Sequence, residues 1–208
     1  MFDHFDLIRI ISLAHRGDRR REMVAELRKL GVEIDGVRVA FFDAIQTKEA
    51  DGFCNPGTNG CYQSHMAVLA DAGERSILVL EDDCDLSPLT KDYTMPECDM
   101  FFGCPDAEAG KFFIGAHMIG YSRGVAPRLL EYLKQSLAKG EKRPFDGATV
   151  HFRKDNPEIR AVFANPALGW QRPSKTDIAA NGFADRLPFI SAARRVKRIL
   201  RRMSAAKS

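Results

Sequence analysis

Residues 76–85, with the sequence Ser-Ile-Leu-Val-Leu-Glu-Asp-Asp-Cys-Asp, constrain the fold of this chain more than any other stretch. The run from Ile77 to Leu80 shows no polar alternation, which is typical of a strand buried on both faces of a parallel sheet. Four acids follow directly: Glu81, Asp82, Asp83 and Asp85. Because ligands of open α/β sheets bind beyond the carboxyl ends of the strands, we expect a binding site at this acidic turn, residues 81–85. The alternative is an acidic loop at the surface.

The acidic turn also has the composition of a metal site. Carboxylates at this density repel one another and are costly to hold together without a cation. Hard oxygen ligands suit Mg²⁺ or Mn²⁺, whose remaining coordination positions are filled by water and substrate phosphate. The sequence therefore predicts a divalent metal site at the end of this strand.

The N-terminal region predicts a strand, a turn and a helix, which is how a nucleotide-binding half begins. Leu7 to Leu13 is the first strand, Asp18 is the expected helix N-cap, and Gly31 is the expected C-terminal cap. Three arginines in the turn, Arg16, Arg19 and Arg20, could meet a phosphate where the strand ends. The alternative is a solvated basic first turn. A second strand is expected at residues 37–42.

A second helix is expected to open at Gly57-Thr58-Asn59-Gly60 and to stop at Gly73. Cys61, His65 and Val68 fall on one face of it, so His65 could be a core histidine as well as a ligand contact. Further on, residues 111–121 predict a strand or strand pair, and Ser122 is the expected cap of a third helix. Asp146, between Phe145 and Gly147, is a candidate site residue or an ordinary Asx turn.

Composition places the chain among globular proteins. With 208 residues and 45% hydrophobic content it is long enough for one sizeable core. The sequence has no apolar run of membrane-spanning length and no signal-peptide pattern at its start, so we expect a cytoplasmic protein. Five cysteines without a Cys-x-x-Cys pair predict buried thiols in a reducing compartment.

The basic charge of the chain is concentrated at its C-terminus. Seven of the 31 basic residues fall within 194–208, leaving 24 (31 less 7) against 28 acidic residues elsewhere. Apolar residues alternate with these charges, so residues 189–208 predict a basic amphipathic tail that could lie on an anionic membrane surface, or a solvated tail. No nucleic-acid partner is expected, because the positive charge has no interleaved aromatics or recognisable module.

Several of these stretches together resemble glycosyltransferase family 25, which includes bacterial lipopolysaccharide galactosyltransferases and collagen galactosyltransferase domains. The resemblance rests on four blocks in order: Ile11-Ser12-Leu13 with Arg16, Asp18, Arg19 and Arg20; Gly57-x-x-Gly60-Cys61-x-x-Ser64-His65; Ile77 to Asp83; and Pro166 to Ile178, where Thr176 stands in place of the usual Ser. It covers residues 7 to about 180. The segment between Cys84 and Gly110 is shorter than the family's acceptor-side region.

The resemblance implies an α/β fold of the GT-A type, a Rossmann-like mixed sheet flanked by helices, in a single domain at residues 1–188. It also implies an inverting transfer of a hexose, such as galactose, from a UDP-sugar to a glycan or glycolipid acceptor such as lipopolysaccharide core, with Mn²⁺ or Mg²⁺ as cofactor. On this basis Asp83 is the expected metal ligand, with Asp85 as a second Asp-x-Asp candidate. Asp146 is the candidate base and Asp177 the second choice. Expected donor contacts are Arg16, Arg19, Gly60, Ser64, His65, Glu81, Asp82 and Gln171.

Two other functions are compatible with the same residues. A metal-dependent phosphohydrolase of nucleotide sugars could use the acidic turn with water in place of a sugar acceptor. A degenerate nucleotide-sugar-binding module is the third possibility, because the short middle segment could have lost the acceptor pocket.

Overall fold

The fold, taken from a computed structural model that describes residues 1–106 and 113–172, is built around a six-stranded mixed sheet with the strand order β2-β1-β3-β8-β5-β9. In chain order the elements are β1 (Leu7–Ser12), α1 (Gly17–Lys29), β2 (Val39–Asp43), α2 (Pro56–Ala72), β3 (Ile77–Glu81), β4 (Cys84–Leu86), β5 (Met100–Phe102), β6 (Pro105–Asp106), β7 (Phe113–Ile114), β8 (Met118–Tyr121), α3 (Val125–Ala138), α4 (Phe145–Asp155), β9 (Ala161–Phe163) and β10 (Gly169–Gln171). Short 3₁₀ helices lie at Phe2–His4 and Pro88–Thr90.

The direction of the strands decides what meets at one edge of the sheet. β1, β2 and β3 are parallel, and β5 and β9 run the same way, whereas β8 is antiparallel to both of its neighbours. Five strands therefore end at the same edge, and β8 begins there. The residues that follow β1, β2 and β3 and the residues that precede β8 are brought together by this arrangement.

Two apolar clusters cover the two faces of the sheet, and β3 contributes to both. Ile77 and Val79 belong to the cluster that α2, α3 and α4 cover, while Leu78 and Leu80 belong to the cluster that α1 covers. All four side chains are fully buried. Full burial of a side chain of this size stabilises the fold by about 1.5–3 kcal/mol, so β3 is anchored from both sides. This is the double burial that its unalternating sequence predicted.

The predicted fold class, a mixed α/β sheet flanked by helices, is confirmed for the described residues. Two predicted helix caps are wrong. Asp18 is not the N-cap of α1, because the helix already begins at Gly17 and Asp18 pairs with Arg16 within the first turn. Ser122 does not cap α3; Gly124, with a φ of 78°, precedes that helix, and no side chain caps it.

A small antiparallel pair of β4 and β10 sits beside the main sheet and fixes the far side of the acidic turn. Trp170 lies opposite Asp85, and Gln171 lies opposite Cys84. The backbone N–H of Arg172 donates to the carbonyl of Asp83 at 2.6 Å. The end of the described chain is thus attached to the acidic turn. The predicted boundary at residue 188 and the tail at 189–208 lie outside the described residues.

None of the helices in residues 1–106 and 113–172 combines the length and the apolarity that crossing a membrane requires.

Candidate active site

A cleft of about 480 Å³ opens at the edge where β1, β2 and β3 end. Its walls come from the ends of β1 and β3, the segment after β2, the start of α2, the residues before β8 and the start of α4. The predicted site residues that line it are Arg19, Gly60, Ser64, Glu81, Asp82, Asp83, Asp146 and Gln171. The fold therefore brings eight of the predicted residues into one concave site, as expected for the carboxyl ends of an open sheet.

Glu81 is held by two histidines on the side of the sheet that α2 covers. Its Oε2 accepts from His117 Nδ1 at 2.7 Å, and its Oε1 lies 3.2 Å from His65 Nε2. Burial acts to raise the pKa of the Glu81 carboxyl, but the hydrogen bonds from His117 and His65 outweigh it and hold this pKa well below its usual range. Glu81 is therefore a fixed negative charge on the floor of the cleft.

His117 lies between two carboxylates, and its pKa reflects them. Burial acts to lower its pKa, yet the contacts with Asp83 and Glu81 raise the pKa well above its usual value. His117 immediately precedes β8, and its carbonyl accepts the N–H of Glu81 at 3.0 Å. The sequence did not single it out as a site residue. It lies 36 positions from Glu81, so its contact with Glu81 could be predicted only from the antiparallel pairing of β8 with β3.

Asp83 has one carboxylate oxygen without a good hydrogen-bond donor among the described residues. The side chain is mostly buried, with the residue 9% exposed, and its Oδ2 accepts a long hydrogen bond of 3.4 Å from Gln171. Its Oδ1 lies 3.5 Å from His117 Nδ1, whose proton points to Glu81, and has no good hydrogen-bond donor among the described residues. A buried carboxylate oxygen with spare acceptor capacity is suited to a cation or a ligand hydroxyl.

Asp82 faces the opposite side of the sheet from Glu81 and ties three elements together. It accepts from Ser12 Oγ at 2.7 Å and from Arg19 Nη1 at 2.8 Å, and it is 5% exposed. Burial raises the pKa of this carboxyl, and the contacts with Ser12 and Arg19 offset that effect only in part. The ion pair joins the end of β3 to the first turn of α1, and Ser12 joins it to the end of β1. Arg19 is thereby positioned at the cleft wall.

Asp146 lies in the first turn of α4 and lines the cleft. Its Oδ1 accepts the N–H of Gly147 at 2.7 Å. Burial raises the pKa of the Asp146 carboxyl, and the negative charge of Glu81 raises it further. The preceding residue, Phe145, stacks on His65 with ring centroids 3.9 Å apart, and His65 in turn contacts Glu81. A carboxylate made more basic in this way is suited to accepting a proton.

Gly60 and Ser64 hold the segment after β2 against α2, and this segment forms one wall of the cleft. A Cβ on Gly60 would lie 2.5 Å from the Ile45 carbonyl oxygen, so only glycine allows this approach. Ser64 Oγ donates to the Gly60 carbonyl at 2.7 Å and accepts the N–H of Ile45 at 2.8 Å. The two residues, predicted as donor contacts, fasten residues 44–47 to α2. His65, 1% exposed, contacts Glu81 and does not line the cleft.

Asp85 is the predicted metal candidate that the fold directs away from the cleft. It is 3% exposed and accepts from Arg172 Nε at 2.8 Å. Arg172 also pairs with Glu22 on α1. Asp83 lies in the turn between β3 and β4, whereas Asp85 lies within β4. Asp85 is thus placed in an internal ion pair and does not line the cleft, and its role at a metal stays a prediction.

The other predicted site residues are less central. Arg16 does not line the cleft and forms an ion pair with Asp18 at 2.9 Å. Gln171 reaches the cleft from β10, where it contacts Asp83. Asp177, the second candidate base, lies outside the described residues.

The residues of the cleft fit a divalent metal ion. Glu81, Asp83 and His117 each offer a ligand atom, and these atoms lie within 4.8 Å of one another. Two carboxylates with one imidazole suit Mn²⁺ better than Mg²⁺, which favours oxygen ligands alone. The spare Oδ1 of Asp83 points to the same conclusion. A second group, Cys61, His65 and Glu81, is less suitable, because burial raises the pKa of the Cys61 thiol and opposes the thiolate that a metal needs.

Comparisons with known proteins give structural likeness only. No family model matches this sequence, and no curated protein matches it either. A glycosyltransferase involved in the glycosylation of the major capsid of PBCV-1 is similar in structure, with 13% identity, a TM-score of 0.49, and coverage of 81% of this chain and 95% of that one. The CTP:phosphocholine cytidylyltransferase LicC from Streptococcus pneumoniae has 12% identity, a TM-score of 0.48, and coverage of 93% and 98%. The apo form of the glycosyltransferase GlyE from Streptococcus pneumoniae TIGR4 has 9% identity, a TM-score of 0.38, and coverage of 91% and 60%. At these values the likeness assigns no family and no substrate, and the resemblance to family 25 stays a prediction from the sequence motifs.

Proposed function

We propose that this chain is a glycosyltransferase that moves a sugar, with inversion, from a nucleoside diphosphate sugar to a glycan acceptor. One observation carries the proposal. A single cleft at the carboxyl ends of β1, β2 and β3 holds the carboxylates Glu81 and Asp83 beside His117, together with a further carboxylate, Asp146, whose pKa is raised.

The two carboxylate environments match two different tasks. The pKa of Glu81 is lowered by its histidine partners, so it stays ionised and serves binding. The pKa of Asp146 is raised by burial and by the charge of Glu81, so its carboxylate takes up a proton more readily. Titratable groups whose surroundings separate their pKa values in this way mark acid and base roles.

Inversion requires a base that removes the acceptor hydroxyl proton as that oxygen attacks the anomeric carbon. Asp146 is the described residue that we assign to this role. Its backbone is fixed in the first turn of α4, and its neighbour Phe145 is held by stacking on His65. The carboxylate is thereby pre-positioned, which reduces the entropy lost in reaching the reactive geometry.

The departing diphosphate develops negative charge, which positive groups in the cleft would stabilise. Arg19 lines the cleft and is held there by Asp82. Glu81, Asp83 and His117 would hold Mn²⁺, which when bound supplies Lewis-acid stabilisation of the leaving group. As a ligand His117 would be the neutral imidazole, so it would give up the extra proton that Asp83 and Glu81 favour.

The identity of the substrates belongs to the same proposal. The sequence resemblance supports UDP-galactose as the donor and a glycolipid such as lipopolysaccharide core as the acceptor. We also propose that the protein works on the cytoplasmic side of a membrane, with the basic residues 189–208 on an anionic lipid surface, where each basic group contributes on the order of 1 kcal/mol.

The test is to incubate the full chain with a panel of UDP-sugars, with and without Mn²⁺, and to measure both UDP release and sugar transfer to glycan acceptors. We expect transfer that depends on an acceptor. Release of UDP or phosphate at the same rate without any acceptor would instead show the phosphohydrolase. Tight binding of UDP-sugar without turnover would show the degenerate binding module, and either result would overturn the proposal.

A further inference from the structure

A cluster of one arginine and two phenylalanines lies outside the cleft, where α4 packs near the ends of β5 and β9. The Arg153 guanidinium carbon lies 5.2 Å from the ring centroid of Phe102 and 5.2 Å from that of Phe163. The two rings stack on each other, with centroids 4.9 Å apart and planes 13° from parallel. We call these three residues the Arg153 platform. None of them is among the described residues that line the cleft.

Arg153 differs from the other arginines of residues 1–106 and 113–172. Most of those form ion pairs, and Arg21 and Arg28, which form none, are exposed to water. Arg153 is half-buried and, within the same residues, has neither a carboxylate partner nor a hydrogen bond. Its Nε is buried without a partner, and burial is the only influence on the pKa of its guanidinium.

The platform has the features of a binding site for an anion. A cation that has lost part of its hydration and has no counter-ion gains more from an incoming anion than an exposed one does. Burial lowers the pKa of Arg153, in keeping with this lost hydration. Contact with the two rings holds the guanidinium in place, and its nitrogens form the planar fork that carboxylate and phosphate prefer. Phe163 is 36% exposed and offers an apolar surface beside that fork.

The platform lies at the same sheet edge as the cleft and shares α4 with it. Phe102 and Phe163 are paired residues at the ends of β5 and β9, at the same sheet edge as the acidic turn. Arg153 follows Asp146 by two turns on the same helix, which corresponds to roughly 10 Å along its axis. A molecule that presents a hydroxyl to Asp146 and extends along α4 would therefore reach the platform.

We infer that the Arg153 platform binds an anionic sugar of the acceptor glycan, through a carboxylate or phosphate group on Arg153 and an apolar sugar face on Phe163. This inference rests on the proposed function in one respect, namely that the bound sugar belongs to the acceptor. The binding site itself does not require catalysis. A uronic acid and a sugar phosphate offer the same chemistry to the guanidinium.

The experiment measures binding of glucuronic acid, glucose 6-phosphate and neutral glucose to the full chain by calorimetry or ligand-observed NMR, with saturating UDP present to occupy the cleft. Wild-type protein should bind at least one of the two anions and bind glucose at least tenfold more weakly. The tighter anion identifies the group on the acceptor. Arg153→Met keeps the apolar stem over Phe102 and should weaken anion binding at least tenfold, while Arg153→Lys should recover part of it. Phe163→Ala, at an exposed position, should weaken it as well.

Lys154→Gln is the matched control, because it removes one positive charge from the exposed neighbouring position on α4 and should change binding less than twofold. Equal binding by wild type and Arg153→Met, no binding of either anion by wild type, or an equal loss in Lys154→Gln would each overturn the inference. Binding of the anions that UDP abolishes would place them in the cleft and would also overturn it. If binding depends on Arg153 but no transfer is found, the site stands and the proposed function fails. If transfer occurs without any preference for acidic acceptors that Arg153→Met removes, the inference alone fails.

Discussion

Asp85→Asn tests whether Asp85 stabilises the fold while Asp83 binds the metal. The residue is 3% exposed and its Oδ1 accepts from Arg172 Nε at 2.8 Å, so the substitution removes the negative partner of a buried guanidinium. Loss of one member of a buried ion pair costs about 3–5 kcal/mol. Glu22 remains in contact with Arg172, but it is largely exposed, so we expect a loss near the lower end, about 3 kcal/mol. For a domain of this size that corresponds to a fall in Tm of about 6–12 °C.

The assay pairs this variant with Asp83→Asn, the same chemical change two residues earlier. Denaturant unfolding and thermal melting give the loss of stability, and a Mn²⁺ titration followed by electron paramagnetic resonance gives the metal affinity. Asp85→Asn should lose stability and keep the metal affinity of its folded fraction. Asp83→Asn should unfold within about 1 kcal/mol of wild type, because its Oδ1 has no good donor to lose, and should bind Mn²⁺ at least tenfold more weakly.

A double-mutant cycle with Arg172→Met separates the ion pair from its surroundings. Because the two side chains are in contact, the cycle should give a coupling free energy above about 1 kcal/mol. The reasoning is refuted if Asp85→Asn unfolds with wild-type stability and loses Mn²⁺ binding, since that result would make Asp85 a metal ligand and its pairing with Arg172 unimportant.

Three further outcomes follow from the cleft. Asp146→Asn should lower kcat by roughly 10²-fold or more with donor affinity unchanged, measured by steady-state kinetics; retained turnover would show that another base acts. Because burial and Glu81 raise the pKa of Asp146 above its usual 3.8, and the base must be ionised, kcat of the wild type should fall with decreasing pH along a limb that lies above pH 3.8; a limb at or below that value would contradict the assignment. Gly60→Ala places a Cβ 2.5 Å from the Ile45 carbonyl oxygen. We expect this overpacking to lower the free energy of unfolding by about 1–3 kcal/mol, offset by about 1 kcal/mol from the higher helix propensity of alanine. The displaced segment should also raise the donor KM. Gly17→Ala, whose Cβ makes only an ordinary 3.4 Å contact, should leave donor KM unchanged, and equal KM values in the two variants would exclude the close approach as the cause.

The sequence predicted β3 well, because the residue types within the strand determine its burial. The run from Ile77 to Leu80 is apolar without alternation, so it could only be satisfied by burial on both faces, and the sheet provides that. Three of the four acids after it, Glu81, Asp82 and Asp83, line the cleft at the sheet edge where the sequence placed a site, and their roles there stay predictions. The extent of α2 and its end before Gly73, which has a φ of 55°, also follow from local sequence.

The features that the sequence missed depend on pairings distant along the chain. The antiparallel direction of β8 puts His117 beside Glu81, and nothing in residues 111–121 reveals that direction. The partner of Asp85 is Arg172, which is 87 positions away, and nothing near Asp85 in the sequence reveals this contact. The wrong cap at Asp18 has a local cause instead: its carboxylate is engaged by Arg16, two positions earlier, and this contact holds its pKa low.

The position of β3 between both apolar clusters has a consequence for local opening of the molecule. Its amides are bonded within the sheet to β1 on one side and β8 on the other, and its side chains are covered by helices on both faces. No partial unfolding that releases only one layer would expose them. In native-state hydrogen exchange the amides of Leu78, Val79 and Leu80 should therefore exchange only through global unfolding, so the strand that carries the acidic turn belongs to the last unit of the protein to open.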